Sequence, residues 1–139
     1  MILAETTLAT ARLVLRRPHP RDAAATTGFY MSERAQYVGG HVPRAASARQ
    51  FYAVLGHWEV HGCGLWAVTE KGNDAILGLV GPYCPDGWPE PEIGWLMFEG
   101  AEGRGLAFEA ATATIDDART RLGWSEIVHY VAPGNTRSI

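Results

Sequence analysis

The chain has little of what would place it in several broad classes. Only two cysteines occur among its 139 residues. Cys63 and Cys84 have no Cys or His neighbour at the spacing of a metal motif, so both read as reduced thiols, and no metal site is expected. Basic excess is absent too, with 12 Lys and Arg against 15 Asp and Glu and a net charge of −3. Binding to a nucleic-acid backbone calls for a positive stripe; here only Arg16 and Arg17 adjoin, and they read as the solvated end of a strand. No run approaches the roughly 20 apolar residues of a membrane span. The opening M-I-L-A-E-T-T has no basic leader, and Glu5 interrupts its apolar residues. Gly-Lys-Ser/Thr never occurs, which removes the phosphate-binding P-loop. A soluble cytoplasmic protein without nucleic-acid or membrane partners is expected.

What is present fits one domain, residues 1–139, long enough to bury roughly two-thirds of its unfolded surface. Residues 12–17 alternate, with Leu13 and Leu15 on one face, and predict a half-buried strand. Asp22 and the alanines after it predict a helix to about Met31. The Gly39-Gly40 and Pro43 segment reads as a loop. Ser47 is placed as the cap of a second helix reaching about His61, with Phe51, Leu55 and Trp58 on its inner face. Residues 65–69 and 76–83 predict a hairpin around K-G-N-D. A Pro- and Gly-rich turn follows, with Trp88 expected to be partly exposed.

The informative stretch is P-E-I-G-W-L-M-F-E-G-A-E-G-R-G-L-A-F-E-A-A, residues 91–111. Its short apolar run, residues 93–98, reads as a buried strand. Gly103, Arg104 and Gly105 then open a helix of about residues 105–122, whose sheet-facing side is expected to carry Ala107, Ala111, Ile115 or Ala118, and Leu122, with Asp116, Asp117, Arg119 and Arg121 opposite. A Gly-x-Gly turn there leaves several N–H groups unpaired beside the positive end of the helix dipole, an anion site made of main chain. The same glycines also suit a plain tight turn. A dinucleotide fingerprint from Gly103 fails, because it needs a small residue where Phe108 stands. Residues 125–131 predict a last strand, so 91–131 would form a parallel βαβ unit with a right-handed crossover.

These residues resemble the acetyl-CoA site of the GNAT superfamily of N-acetyltransferases, in the branch with the ribosomal-protein N-terminal acetyltransferases RimJ and RimL. Glu102, Gly103, Arg104, Gly105, Leu106 and Ala107 lie on the family pattern Gln/Arg-x-x-Gly-x-Gly/Ala, departing at Glu102. T-A-R-L-V-L-R-R, G-L-W-A-V, E-I-G-W-L and N-T-R-S-I match further along, so the resemblance covers about residues 9–139. It implies an α/β (α+β) GNAT fold with a mixed, mostly antiparallel sheet flanked by helices. In the family a helix and two strands follow N-T-R-S-I; their absence implies a truncated chain, a fragment, or one that borrows strands, as a homodimer would.

The resemblance also implies an acyltransferase that moves acetyl from acetyl-CoA to a primary amine, a protein N-terminus or a small amine, by direct attack in a ternary complex. A non-catalytic CoA-binding or partner-binding module is the alternative. Gly103, Arg104, Gly105, Leu106 and Ala107 would hold the pyrophosphate; the strand edge at Leu96, Met97 and Phe98 would take the pantetheine arm, with a backbone N–H near Leu96 or Met97 facing the oxyanion. Asn135 would touch pantetheine and Ser138 would protonate the thiolate, though both also suit a helix cap. Glu92 is the candidate base, or else a surface strand end. Tyr37, His41 and Trp88 are candidates for acceptor contact, and His129 is read as a satisfied core histidine. An α-amino group near pKa 8 costs about 1.4 kcal/mol to deprotonate at pH 7, against about 4.6 kcal/mol for lysine, so an N-terminal acceptor needs less help.

Overall fold

A computed structural model describes residues 6–101 and 103–129. Five strands form one sheet whose spatial order is their chain order, each antiparallel to the next. They are β1 (Leu8–Ala9), β2 (Leu13–Arg16), β3 (Trp66–Glu70), β4 (Asn73–Tyr83) and β5 (Glu92–Met97). Two helices, α1 (Ala23–Met31) and α2 (Arg44–His61), separate β2 from β3, and α3 (Leu106–Thr120) follows β5.

Successive residues of a strand face opposite sides of a sheet, and the core divides accordingly. Leu13, Leu15, Trp66, Val68 and Val80 pack with Leu106, Ala110 and Ala111 of α3. Leu79, Leu65 and Phe98 instead pack with Phe29, Tyr30 and Val54 of α1 and α2. The sheet is therefore covered on both faces. The hairpin is tighter than K-G-N-D suggests: Glu70 pairs with Asn73, leaving Lys71 and Gly72 as its turn, with Gly72 at φ +81°. Two-residue turns favour such backbone, and glycine adopts it without strain.

Several expectations are corrected by packing. Ser47 is no cap, because α2 begins at Arg44 behind Pro43; Ser47 is fully buried and its hydroxyl donates to the Thr27 carbonyl at 2.7 Å, tying α2 to α1. Arg16 is not solvated. Its guanidinium lies between Asp22 (2.8 Å) and Asp74 (2.9 Å), and only Arg17 points outward, to Glu59. The buried face of α3 runs through Leu106, Ala110, Ala111, Thr114, Asp117 and Ala118. Ala107 and Leu122 are half-buried, and Asp117, expected on the solvent side, is buried beside Arg121 at 2.9 Å. In an alanine-rich helix the periodic signal is shallow, so tertiary contacts choose the face.

The parallel unit is present among the described residues only as a backbone hydrogen bond from Ile93 N–H to the Val128 carbonyl, 2.8 Å. Residues 125–129 carry no strand, and 130–131 lie outside the described residues.

Candidate functional site

The strand β5 and the start of α3 are joined by a turn in which Gly100, Gly103 and Gly105 all have positive φ. Gly105, at φ +72°, is the residue that caps α3, and the first backbone bond of the helix runs from Glu109 N–H to its carbonyl, 3.1 Å. The N–H groups of Leu106, Ala107 and Phe108 are thus the ones with no intrahelical acceptor. A side chain at Gly105 would be strained whatever the space, and its Cβ would sit 3.5 Å from an Arg12 nitrogen.

A clamp holds this turn in place. Glu109 accepts from the Thr10 hydroxyl, from Arg12 N–H (2.9 Å) and from Arg12 Nε (2.7 Å), while Arg12 Nη1 donates to the Arg104 carbonyl (2.9 Å). The Thr10 hydroxyl and the two donors of Arg12 hold the Glu109 carboxyl at about 2, far below its ordinary 4.5. Sequence reasoning missed the clamp. T-A-R-L lies within a stretch that matches the family, but nothing in the sequence shows that it meets Glu109. The Arg104 guanidinium pairs with Glu70 at 2.9 and 3.0 Å.

The backbone of β5 has two differently used edges. Phe98 N–H donates to Leu77, so alternation turns the amides of Phe98, Leu96 and Gly94 toward β4 and those of Ile93, Trp95 and Met97 outward. The outward carbonyl of Met97 accepts from Arg34 Nε at 3.0 Å, which seats the short 3₁₀ turn Glu33–Ala35 against this edge. The ring of Phe98 is buried and stacked on Phe29 at 4.8 Å.

Glu92 begins β5 and is buried, at 6% exposure. Its Oε1 accepts from Trp88 Nε1 at 3.1 Å, and its Oε2 lies 3.9 Å from His129 Nδ1. His129 is held by the Ile93 carbonyl (2.8 Å) and stacks on Trp95 with ring centroids 3.4 Å apart. Trp88 is 43% exposed and meets Tyr83 edge-on. Glu92, Trp88 and His129 therefore form one group, although the sequence pointed to them separately. Tyr37 and His41 occupy the loop before α2, both exposed. His41 has the left-handed φ of +60° that non-glycine residues seldom adopt, held by its N–H on the Tyr30 carbonyl at 2.7 Å. Asn135 and Ser138 lie outside the described residues.

A family model for the acetyltransferase (GNAT) domain matches residues 12–139. Among solved structures, an acetyltransferase from Agrobacterium tumefaciens is 35% identical, with a TM-score of 0.90 over 99% of this chain and 81% of that one. The uncharacterised protein YkkB of Bacillus subtilis is 26% identical over 98% of this chain and 81% of its own length. RimL, described as a ribosomal alpha-N-protein acetyltransferase, shares the fold at 12% identity, with a TM-score of 0.76 over 96% of this chain and 76% of its own. No helix among the described residues is long and apolar enough to cross a membrane. From β2 onward the matched span contains the Gly-rich turn, β5 and the buried carboxylate of Glu92, and the chain belongs to the GNAT acetyltransferases, acyltransferase enzymes that use acetyl-CoA.

Proposed function

We propose that this chain transfers acetyl from acetyl-CoA to a primary amine, a peptide N-terminus or a small amine, by direct attack within a ternary complex. The observation that carries the reading is the clamped Gly103–Gly105 turn between β5 and α3, which leaves the amides of Leu106, Ala107 and Phe108 without an intrahelical acceptor. A pyrophosphate on the Leu106, Ala107 and Phe108 amides would leave the pantetheine arm to run along the outward edge of β5, where Trp95 offers outward main-chain groups. Strand parity favours Met97 over Leu96 as the N–H donor to the developing oxyanion. Arg104 is committed to Glu70, so the amides rather than its charge would bind the phosphate.

Glu92 is the general base in this reading, directly or through one water, and Trp88 holds its carboxylate in place. Tyr37, His41 and the exposed part of Trp88 would border the acceptor. Ser138 keeps the assigned role of proton donor to the thiolate and Asn135 that of a pantetheine contact. The shared fold with RimL supports a peptide α-amine as the first acceptor to try, and the low cost of deprotonating such an amine agrees with a site offering one carboxylate. The free thiols of Cys63 and Cys84 suit a reducing compartment such as the cytoplasm.

Calorimetric titration with acetyl-CoA, with ATP and NAD as controls, tests the cofactor. Wild-type protein should bind acetyl-CoA at micromolar concentration and the controls far more weakly. Gly105→Val should lower acetyl-CoA affinity at least tenfold; a folded variant with unchanged affinity overturns the anion site.

A further inference from the structure

At the far end of α2 lies a group of side chains that the acetyl-transfer site does not use. His57 and His61 are one helical turn apart, so their rings share a face, with centroids 4.6 Å apart. Gly62, at φ +71°, ends the helix and turns the chain back through Cys63 into β3. From the other side, β4 delivers Cys84 just beyond Tyr83. Ligand atoms of His57, His61 and Cys84 all lie within 4.8 Å of one another.

We propose that His57, His61 and Cys84 form a binding site for a thiophilic divalent cation of the zinc class, with solvent completing the coordination. Two imidazoles and a thiol are a donor set that favours zinc over magnesium or calcium, which want oxygen. The donors come from the last turn of α2 and from the residue that follows β4. Such a cation would therefore staple the helix to that strand.

The orientation of His57 supports this assignment. Its Nδ1 lies 2.7 Å from the Cys63 carbonyl. A carbonyl can only accept, so Nδ1 carries the proton and the lone pair sits on Nε2. Metal-binding histidines are commonly backed in this way by a carbonyl on the other ring nitrogen. Nε2 accepts from Cys84 N–H at 3.0 Å, so it already points at the residue that brings the sulfur; binding exchanges this one hydrogen bond for a metal bond. A metal takes the thiolate, so binding releases the Cys84 thiol proton to solvent.

The contraction required is small. Tetrahedral zinc with bonds of about 2.0–2.3 Å sets its donors about 3.3–3.8 Å apart, against the 4.8 Å limit found here. His61 is exposed and Cys84 half-buried, so both can rotate inward without disturbing the core. Its donors include neither Glu92 nor a residue of the Gly-rich turn, although His57 stacks on Tyr83 at 5.4 Å and Tyr83 meets Trp88 edge-on; the proposal does not depend on the acceptor and cofactor assignments.

The test is titration of untagged protein with Co²⁺ under a non-chelating reductant, which keeps Cys63 and Cys84 from forming a disulfide. One equivalent should give a sulfur-to-cobalt charge-transfer band and the intense visible bands of a tetrahedral site, and Zn²⁺ should abolish both. Zn²⁺ should also raise the melting temperature in step with its free concentration. His61→Ala, which leaves the hydrogen bonds of His57 intact, should weaken Co²⁺ binding at least tenfold, and Cys84→Ser should remove the charge-transfer band. A reduced, folded protein without that band, or the same band in Cys84→Ser, overturns the proposal. Equal Co²⁺ affinity in His61→Ala removes His61 from the site and overturns the three-donor assignment.

Discussion

Glu92 shows how one side chain acquires a role from its neighbours. A carboxylate at a strand end is ordinarily solvated; this one is buried, accepts from the Trp88 indole and faces His129. Glu92→Gln keeps an acceptor for Trp88 but removes the ability to take a proton. If Glu92 is the base, kcat should fall by about 10²–10⁴-fold, the acidic limb of the pH–rate profile should disappear, and acetyl-CoA affinity should stay unchanged. Steady-state rates with an alanyl peptide across pH decide it, and an unaltered profile assigns the base elsewhere. The identity of Glu92 as a candidate could be read from its place before a buried run. Its indole partner could not, because W-P-E-P-E shows proximity in sequence but not which carboxylate the ring reaches.

For the turn and helix that would bind cofactor, the relevant unit is the clamp of Thr10, Arg12 and Glu109. The Glu109 carboxyl is depressed from 4.5 to about 2, so its contribution to stability is full above pH 4.5 and is lost as the pH falls toward 2. Glu109→Gln should therefore melt lower than wild type near neutrality, with the gap closing below pH 4.5. Thermal melts from pH 7 down to pH 2.5 check this; a gap that stays constant would mean that shape rather than charge is at work. Elements such as β5, the Gly103–Gly105 turn and the hairpin were legible because apolar run length and glycine spacing are local signals. The clamp, the burial of Arg16 and the meeting of His57 with Cys84 were not. Each joins residues brought together only by the sheet, and an arginine or histidine looks the same in sequence whether it is solvated or paired.

Across the whole molecule, the Arg16–Asp22 pair ties the sheet to the helical layer. Both groups are buried, and Asp22 also accepts from His19 N–H at 2.8 Å. Burial opposes ionisation of Asp22, but the bonds from Arg16 and His19 outweigh it and its carboxyl titrates below the ordinary value. Asp22→Ala strands a buried guanidinium and should cost about 3 kcal/mol, seen as a lower urea midpoint with an unchanged slope. Asp74→Ala, at a partner with 60% of its side chain exposed, should cost less than about 1 kcal/mol; equal losses would refute the distinction. The order of the sheet has a further consequence, for synthesis. Each strand pairs with the one made just before it, so a chain emerging N-terminus first can add strands in turn. The Thr10–Glu109 bond spans 99 positions, so a nascent chain can hold the five described strands before its Gly-rich turn is locked. Premature release would thus yield a sheet whose Gly-rich turn is unclamped.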